Sequence, residues 1–194
     1  MTDDNSRDSE NATRPGKISS RRIHTGKIIS LDNDTVRFPD GSVGELEMIR
    51  HPGASAIVPF LSDATGDDPQ LLLIRQYRYA ADQFLYEIPA GRLDPREQPL
   101  DCARRELREE TGCTARQIDF LFTMFTTPGF TDERIHLFMA TGLERGDTAR
   151  EADEFMTMET VTLSQALRLI KEGEIKDAKT ALGILFAAGF RSGL

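Results

Sequence analysis

Apolar positions in this chain come in short runs separated by turn-forming residues, and their period changes along its length. From about Ile23 to His51, brief β-prone runs are punctuated by Asp32-Asn33-Asp34 and Pro39-Asp40-Gly41-Ser42. Both clusters are turn signals, so the pattern predicts a small antiparallel sheet. His51-Pro52-Gly53 breaks the chain. Ala54–Leu61 and Gln70–Ala80 are then rich in aliphatic residues and short enough for buried strands. Phe84–Pro89 reads as another strand, closed by Pro89-Ala90-Gly91. A charged helix follows, with Pro99 suited to its first turn and Gly112 suited to end it. Ile118–Pro128 and Arg134–Leu143 read as strands, and Glu154–Leu163 as an edge or half-exposed strand. Ser164–Glu174 and Ala178–Phe190 have helical periodicity, with Ser164 as the expected N-cap of the first. Strands mixed with a few helices, without regular βαβ alternation, predict an α+β fold.

Composition narrows the function. With 194 residues, 39% apolar and 29% charged, the chain supports one globular domain and a modest extra element. A net charge of -8 argues against a nucleic-acid binder but leaves small anionic substrates open. No apolar run approaches the ~20 residues a membrane span needs. Residues 1–17 are polar, carry no secretory signal and read as a disordered tail. Cys102 and Cys113 are too few for a disulfide framework or a zinc cage, so a reduced cytoplasmic protein is expected. No nucleophile elbow, Walker loop or dinucleotide fingerprint is present. The histidines, His24, His51 and His136, are scattered, and His136 lies in an apolar strand pattern that reads as packing.

The charged helix carries the candidate chemistry. At ~100° per residue, Leu100, Ala103 and Leu107 form an apolar stripe. Arg104, Arg105 and Arg108 lie on one side of it, and Glu106, Glu109 and Glu110 on the other. Charges sorted by sign make a poor solvated face. Glu106 and Glu110 are a like-charged i,i+4 pair, costing about 0.2–0.5 kcal/mol. Glu109 and Glu110 also sit in the last turn, where the helix dipole disfavours anions by roughly 0.3–1 kcal/mol. A hard divalent cation bound by these carboxylates would remove the conflict. Geometry alone leaves both readings open, a metal site or a solvated face.

The wider stretch adds more. Gly91, Glu97, Arg105, Glu106, Leu107, Glu109, Glu110 and Gly112 fall in place for Gly-x5-Glu-x7-Arg-Glu-U-x-Glu-Glu-x-Gly-U, U being a bulky aliphatic. Gly91–Cys113 therefore resembles the signature of the Nudix hydrolases, with Cys113 at the last U as its one departure. The flanks, Tyr86–Gly91, His51–Phe60, Arg75–Tyr79, Pro128-Gly129 and Asp177–Thr180, are similar to ADP-ribose pyrophosphatases. Thr127 stands where that group tends to carry serine.

The resemblance implies a Nudix-type mixed β-sheet sandwiched between helices, preceded by a small antiparallel sheet. The implied organisation is a tail at 1–17, a sheet element at 18–52 and the hydrolase domain at 53–194. It implies hydrolysis of ADP-ribose to AMP and ribose 5-phosphate with Mg²⁺, or Mn²⁺, as cofactor. Glu106 and Glu110 would be the main metal ligands, Glu109 would assist, and the Ala90 carbonyl would be a further ligand. Arg105 and Glu97 would brace the loop between Gly91 and Gly112. Arg78, then Arg75, would meet the phosphates, and strand alternation turns only one of them to the site. Glu151 would take the proton from water, with Asp153 and Glu154 as neighbours in the same loop. Pro128, Gly129 and Glu133 would contact substrate or orient water. The N-terminal strands would join two copies in a homodimer. Two alternatives remain: hydrolysis of other nucleoside diphosphate sugars or dinucleotides, and a non-catalytic sensor that binds ADP-ribose.

Overall fold

The computed structural model describes residues 14–146 and 156–191. These fall into two compact units divided between His51 and Pro52, with Phe125–Glu133 returning to the first.

The first unit is an antiparallel sheet in the order β1 (Gly16–Thr25), β2 (Ser30–Arg37), β3 (Val43–Arg50). Two expectations need correction. β1 starts at Gly16, inside the stretch read as tail, because its main chain finds a full ladder on β2 from Gly16↔Arg37 to Thr25↔Ser30. Asp32-Asn33-Asp34 is also no turn; it lies within β2. There Asp32 and Asp34 are buried and paired, which removes the cost of an unpaired buried charge. Arg22 and Arg50 hold Asp32, while Ser20 and Arg50 hold Asp34. Arg50 also donates from Nη1 to Asp132 at 3.2 Å, tying β3 to the returning segment.

The second unit holds two further sheets. One runs β10 (Met156–Thr162), β5 (Gln70–Arg78), β6 (Gln83–Glu87). The other runs β7 (Ala90–Arg92), β4 (Ala54–Pro59), β9 (Arg134–Arg145), β8 (Cys113–Phe125), with β4 and β9 parallel and β4 and β7 antiparallel. Among the described residues, three α-helices accompany them: α1 (Pro99–Thr111), α2 (Leu163–Lys171) and α3 (Ala178–Arg191). Alternation along β4 and β9 splits the core into two layers. Ala56, Val58, Ile135, Leu137 and Met139 pack with Ala166 of α2 and with Ile184 and Ala187 of α3. Ile57, Phe138 and Ala140 pack with Ala103 and Leu107 of α1. The mixed sheet is therefore sandwiched between helices, as expected.

Local signals hold at α1, where Pro99 occupies the first turn and Gly112 caps the end at φ 70°. At α2 the N-cap is Thr162 rather than Ser164. Thr162 Oγ1 accepts from the Gln165 amide at 3.2 Å, and Gln165 Oε1 accepts from the Thr162 amide at 2.9 Å, a capping box. Ser164 instead donates its amide and hydroxyl to Asp68. Among the described residues, no helix is long and apolar enough to cross a membrane.

Candidate active site

β7 and α1 bring the residues of the Gly91–Gly112 stretch together by a short return of the chain. Arg105 is the hub. Its Nε and Nη2 each donate to Glu97 at 2.9 Å, and Nη2 also donates to the Arg92 carbonyl at 3.0 Å. Its Nη1 donates to Glu109 at 3.1 Å and to Glu106. One guanidinium thus fixes the loop and two of the three glutamates. Hydrogen bonding to Arg105 holds the Glu97 carboxyl down at about 2, and the Glu97 carboxylate pushes Arg105 well above its usual range. The expected bracing pair is present and does more than brace the loop.

Glu106 and Glu110 are buried, although the helix periodicity alone marks them as polar face. Two features of β7 admit them. The Ala90 amide donates to Glu110 Oε2 at 3.0 Å. At Gly91 a Cβ would lie 1.8 Å from Glu106 Oε1 and 2.0 Å from its Cδ, so only glycine leaves room for that carboxylate. Among the described residues, no three His, Cys, Asp or Glu side chains converge as a ready-made cation cage. Glu106 and Glu109 are turned onto Arg105 instead. The donor set nonetheless fits a hard divalent cation: its side-chain donors are all carboxylate oxygens, two of the three carboxylates are buried about one helical turn apart, and Gly91 leaves room for one of them.

Arg78 and Arg75 part company. Arg78 donates from Nε to Glu87 Oε1 at 2.6 Å and from Nη2 to Glu87 Oε2 at 2.8 Å. These bonds raise its pKa, and the Glu110 carboxylate adds to the rise through space. Arg75 instead lies over the rings of Phe84 and Tyr86, at 5.6 Å and 5.8 Å from their centroids.

Sequence pattern alone does not mark Glu87, or Lys179, whose Nζ donates to Glu87 Oε2 at 2.6 Å and lies 3.0 Å from Asp177. Burial pushes the Glu87 carboxyl up, yet Arg78 and Lys179 more than offset this and hold it below its ordinary value. A charged residue inside the apolar run Phe84–Pro89 was the available signal, together with the lysine in Asp177–Thr180.

Pro128, Gly129 and Glu133 belong to the first unit. Pro128 and Gly129 sit in an exposed turn where the Phe130 and Thr131 amides donate to the Thr127 carbonyl at 3.1 Å. Glu133 accepts from Thr126 Oγ1 at 2.9 Å and lies 3.3 Å from His51 Nδ1. His136 is half-buried with Nδ1 2.8 Å from Thr123 Oγ1, and burial lowers its pKa, in keeping with packing. Glu151, Asp153 and Glu154 lie outside the described residues.

The model of the NUDIX domain matches residues 51–182, more than half of the chain. The chain belongs to the Nudix hydrolase family. This Nudix hydrolase is 38% identical to the ADP-ribose pyrophosphatase of Bacillus subtilis (strain 168) over 171 residues, 87% of this chain and 90% of that protein. It is 37% identical to the methanol dehydrogenase activator of Bacillus methanolicus, again over 171 residues, with 87% and 90% covered. The fold is shared with a crystal structure described as an ADP compounds hydrolase, at a TM-score of 0.78 and 19% identity, covering 93% of this chain and 95% of that one. Nudix hydrolases depend on divalent metal, in agreement with the oxygen donor set.

Proposed function

We propose that this Nudix hydrolase cleaves the diphosphate bond of ADP-ribose, giving AMP and ribose 5-phosphate, with Mg²⁺ or Mn²⁺ as its metal. The observation that carries the reading is the buried pair Glu106 and Glu110, placed beside Gly91 and the Ala90 amide and steadied by Arg105. An inactive relic would have no reason to keep these carboxylates out of water beside a glycine that makes room for one of them. The 38% identity to an ADP-ribose pyrophosphatase over most of both chains supports the choice of substrate.

In this reading Glu106 and Glu110 hold the metal, with Glu109 and the Ala90 carbonyl assisting. Bound metal supplies charge neutralisation at the diphosphate oxygens and acidification of the attacking water. Arg105 keeps Glu106 and Glu109 oriented before substrate arrives. Arg78 meets the phosphate oxygens, while Arg75, stacked on Phe84 and Tyr86, takes a lesser part. Water adds to one phosphorus, the bridging P–O bond breaks, and Glu151 accepts the water's proton.

The reading extends to a cytoplasmic homodimer. All ten residues of β1 are exposed, Ile18 and Ile23 among them, and β1 is the edge of its sheet. An open edge strand with exposed apolar side chains is a template for pairing with a second copy.

The test is one panel of ADP-ribose, nucleotide sugars and dinucleotides, each with Mg²⁺ or Mn²⁺, read by product chromatography. Metal-dependent release of AMP from ADP-ribose at the highest kcat/KM is expected. Equal turnover of several nucleotide sugars would sink the ADP-ribose assignment, and binding without turnover would favour the sensor.

A further inference from the structure

Glu87 is the most deeply buried carboxylate of the second unit among the described residues, at 3% exposure. An apolar residue of similar size would often serve stability as well, because desolvating a charge offsets what its pairing contributes. Its partners explain its presence better. Arg78 at the end of β5 and Lys179 in the first turn of α3 both close on its two oxygens.

The bond pattern on Arg78 is asymmetric. Glu87 takes the Nε–Nη2 edge. Nη1 has no partner among the described residues, and 42% of the Arg78 side chain stays open. A guanidinium held by one edge still offers donors in a fixed plane to a phosphate. The Glu110 carboxylate acts on Arg78 through space, which places this arginine in the field of the metal-binding carboxylates.

Glu87 is itself held from behind. Lys179 is mostly buried, at 13% side-chain exposure, and bridges Glu87 to Asp177. Thr180 Oγ1 donates to Asp177 at 2.6 Å and accepts from the Ile88 amide at 2.9 Å. The start of α3 is thereby bonded to the backbone next to Glu87, and the same strand exit leads within three residues to Ala90 and its bond to Glu110.

We propose that Glu87 is a positioning residue for diphosphate hydrolysis: it grips one edge of Arg78 so that the other edge stands ready for the substrate's phosphate oxygens. Lys179 and Asp177 set the place of Glu87 and do not touch substrate. The proposal rests on the reading of this site as a nucleoside-diphosphate hydrolase with Arg78 as a phosphate contact. Ordering a long side chain before binding lowers the entropy lost in the complex, so the effect belongs in affinity more than in the chemical step.

The experiment is a double-mutant cycle on steady-state hydrolysis of ADP-ribose with Mg²⁺, using Glu87→Gln, Arg78→Ala and both together. Each single variant is expected to raise KM by about tenfold or more, with a smaller fall in kcat, and the double variant to be no worse than Arg78→Ala alone. Effects on KM that multiply, or a loss confined to kcat, overturn the proposal. Glu87→Asp keeps the buried charge, whereas Glu87→Gln takes the carboxylate from Arg78 and leaves Lys179 with Asp177 alone, so it covers the case in which the latter does not fold. Its carboxylate retreats by one methylene, and a KM within twofold of wild type in this variant would also overturn the grip. A wild-type chain that hydrolyses no diphosphate of the substrate panel removes the underlying reading and this proposal with it. Wild-type turnover with multiplying effects removes this proposal alone.

Discussion

The carboxylate of Glu106 occupies the space that a side chain at Gly91 would fill, its Oε1 lying 1.8 Å from where a Cβ would stand. Gly91→Ala must therefore displace the end of a flexible glutamate, which is cheap for folding and expensive if Glu106 holds the metal as proposed. The variant is expected to melt close to wild type in a thermal scan while kcat/KM falls about a hundredfold, the scale of a 1 Å misplacement. A large loss of Tm with normal kcat/KM in the folded fraction would contradict this.

Glu110 separates charge from shape. In Glu110→Gln the amide oxygen can still accept from the Ala90 amide, which now meets Oε2 at 3.0 Å. The fold should persist, but the charge of the ligand proposed above is gone. Mn²⁺ affinity, measured by calorimetry, should weaken by more than the about 10–100-fold that loss of an outer-shell partner costs. Unchanged Mn²⁺ affinity would remove Glu110 from the ligand set.

Acid should loosen the brace between Glu97 and Arg105. The Glu97 carboxyl sits at about 2 in the folded chain, below its ordinary 4.5. A depressed folded-state pKa contributes stability above the unfolded value, and that contribution disappears as pH falls from about 4.5 toward 2. Glu97→Gln is expected to be less stable than wild type at pH 7 by about 1–3 kcal/mol. Urea unfolding at stepped pH should show that gap closing through this window. A gap that stays constant from pH 7 to 2 would mean that ionisation of Glu97 contributes nothing to folding.

Thr162 tests a purely structural role. Thr162→Ala removes the capping-box oxygen at the start of α2 and should cost about 1 kcal/mol by chemical denaturation. Its kcat and KM should match wild type, since α2 has no part in the site proposed. Ser164→Ala serves as the comparison, losing a bond to Asp68 rather than a cap.

The parts of this protein legible in its sequence are those whose partners lie within a turn or two. Gly91, Glu97, Arg105, Glu106, Glu109, Glu110 and Gly112 declare themselves because one loop and one helix bring them together, and helical geometry converts spacing into place. The sign segregation around α1 is readable for the same reason, whereas the reach of Arg105 to Glu97, Glu106 and Glu109 is visible only in the structure. Where a residue's partner is remote, local reading failed. Asp32-Asn33-Asp34 looks like a turn until Arg22, Ser20 and Arg50 are seen to donate to Asp32 and Asp34 within a strand. Gly16 and Lys17 look like tail until β2 supplies their ladder. Ser164 looks like a cap until Asp68, far away in the chain, claims it.

By itself, the sequence determined most of the succession of strands and helices, the α+β class and the charge conflict on its helix, which follow from periodicity, dipole and spacing acting over a few residues. The box residues and their cation came from the resemblance to the Nudix signature, since geometry alone left a solvated face open as well. Only the tertiary structure decided that Glu106 and Glu110 are buried, that Gly91 is glycine to make room for a carboxylate, and that Arg78 is held rather than loose. Burial and pairing of charge depend on what the rest of the chain brings alongside. Glu87 and Lys179, 92 residues apart, meet only when β6 and α3 are both in place.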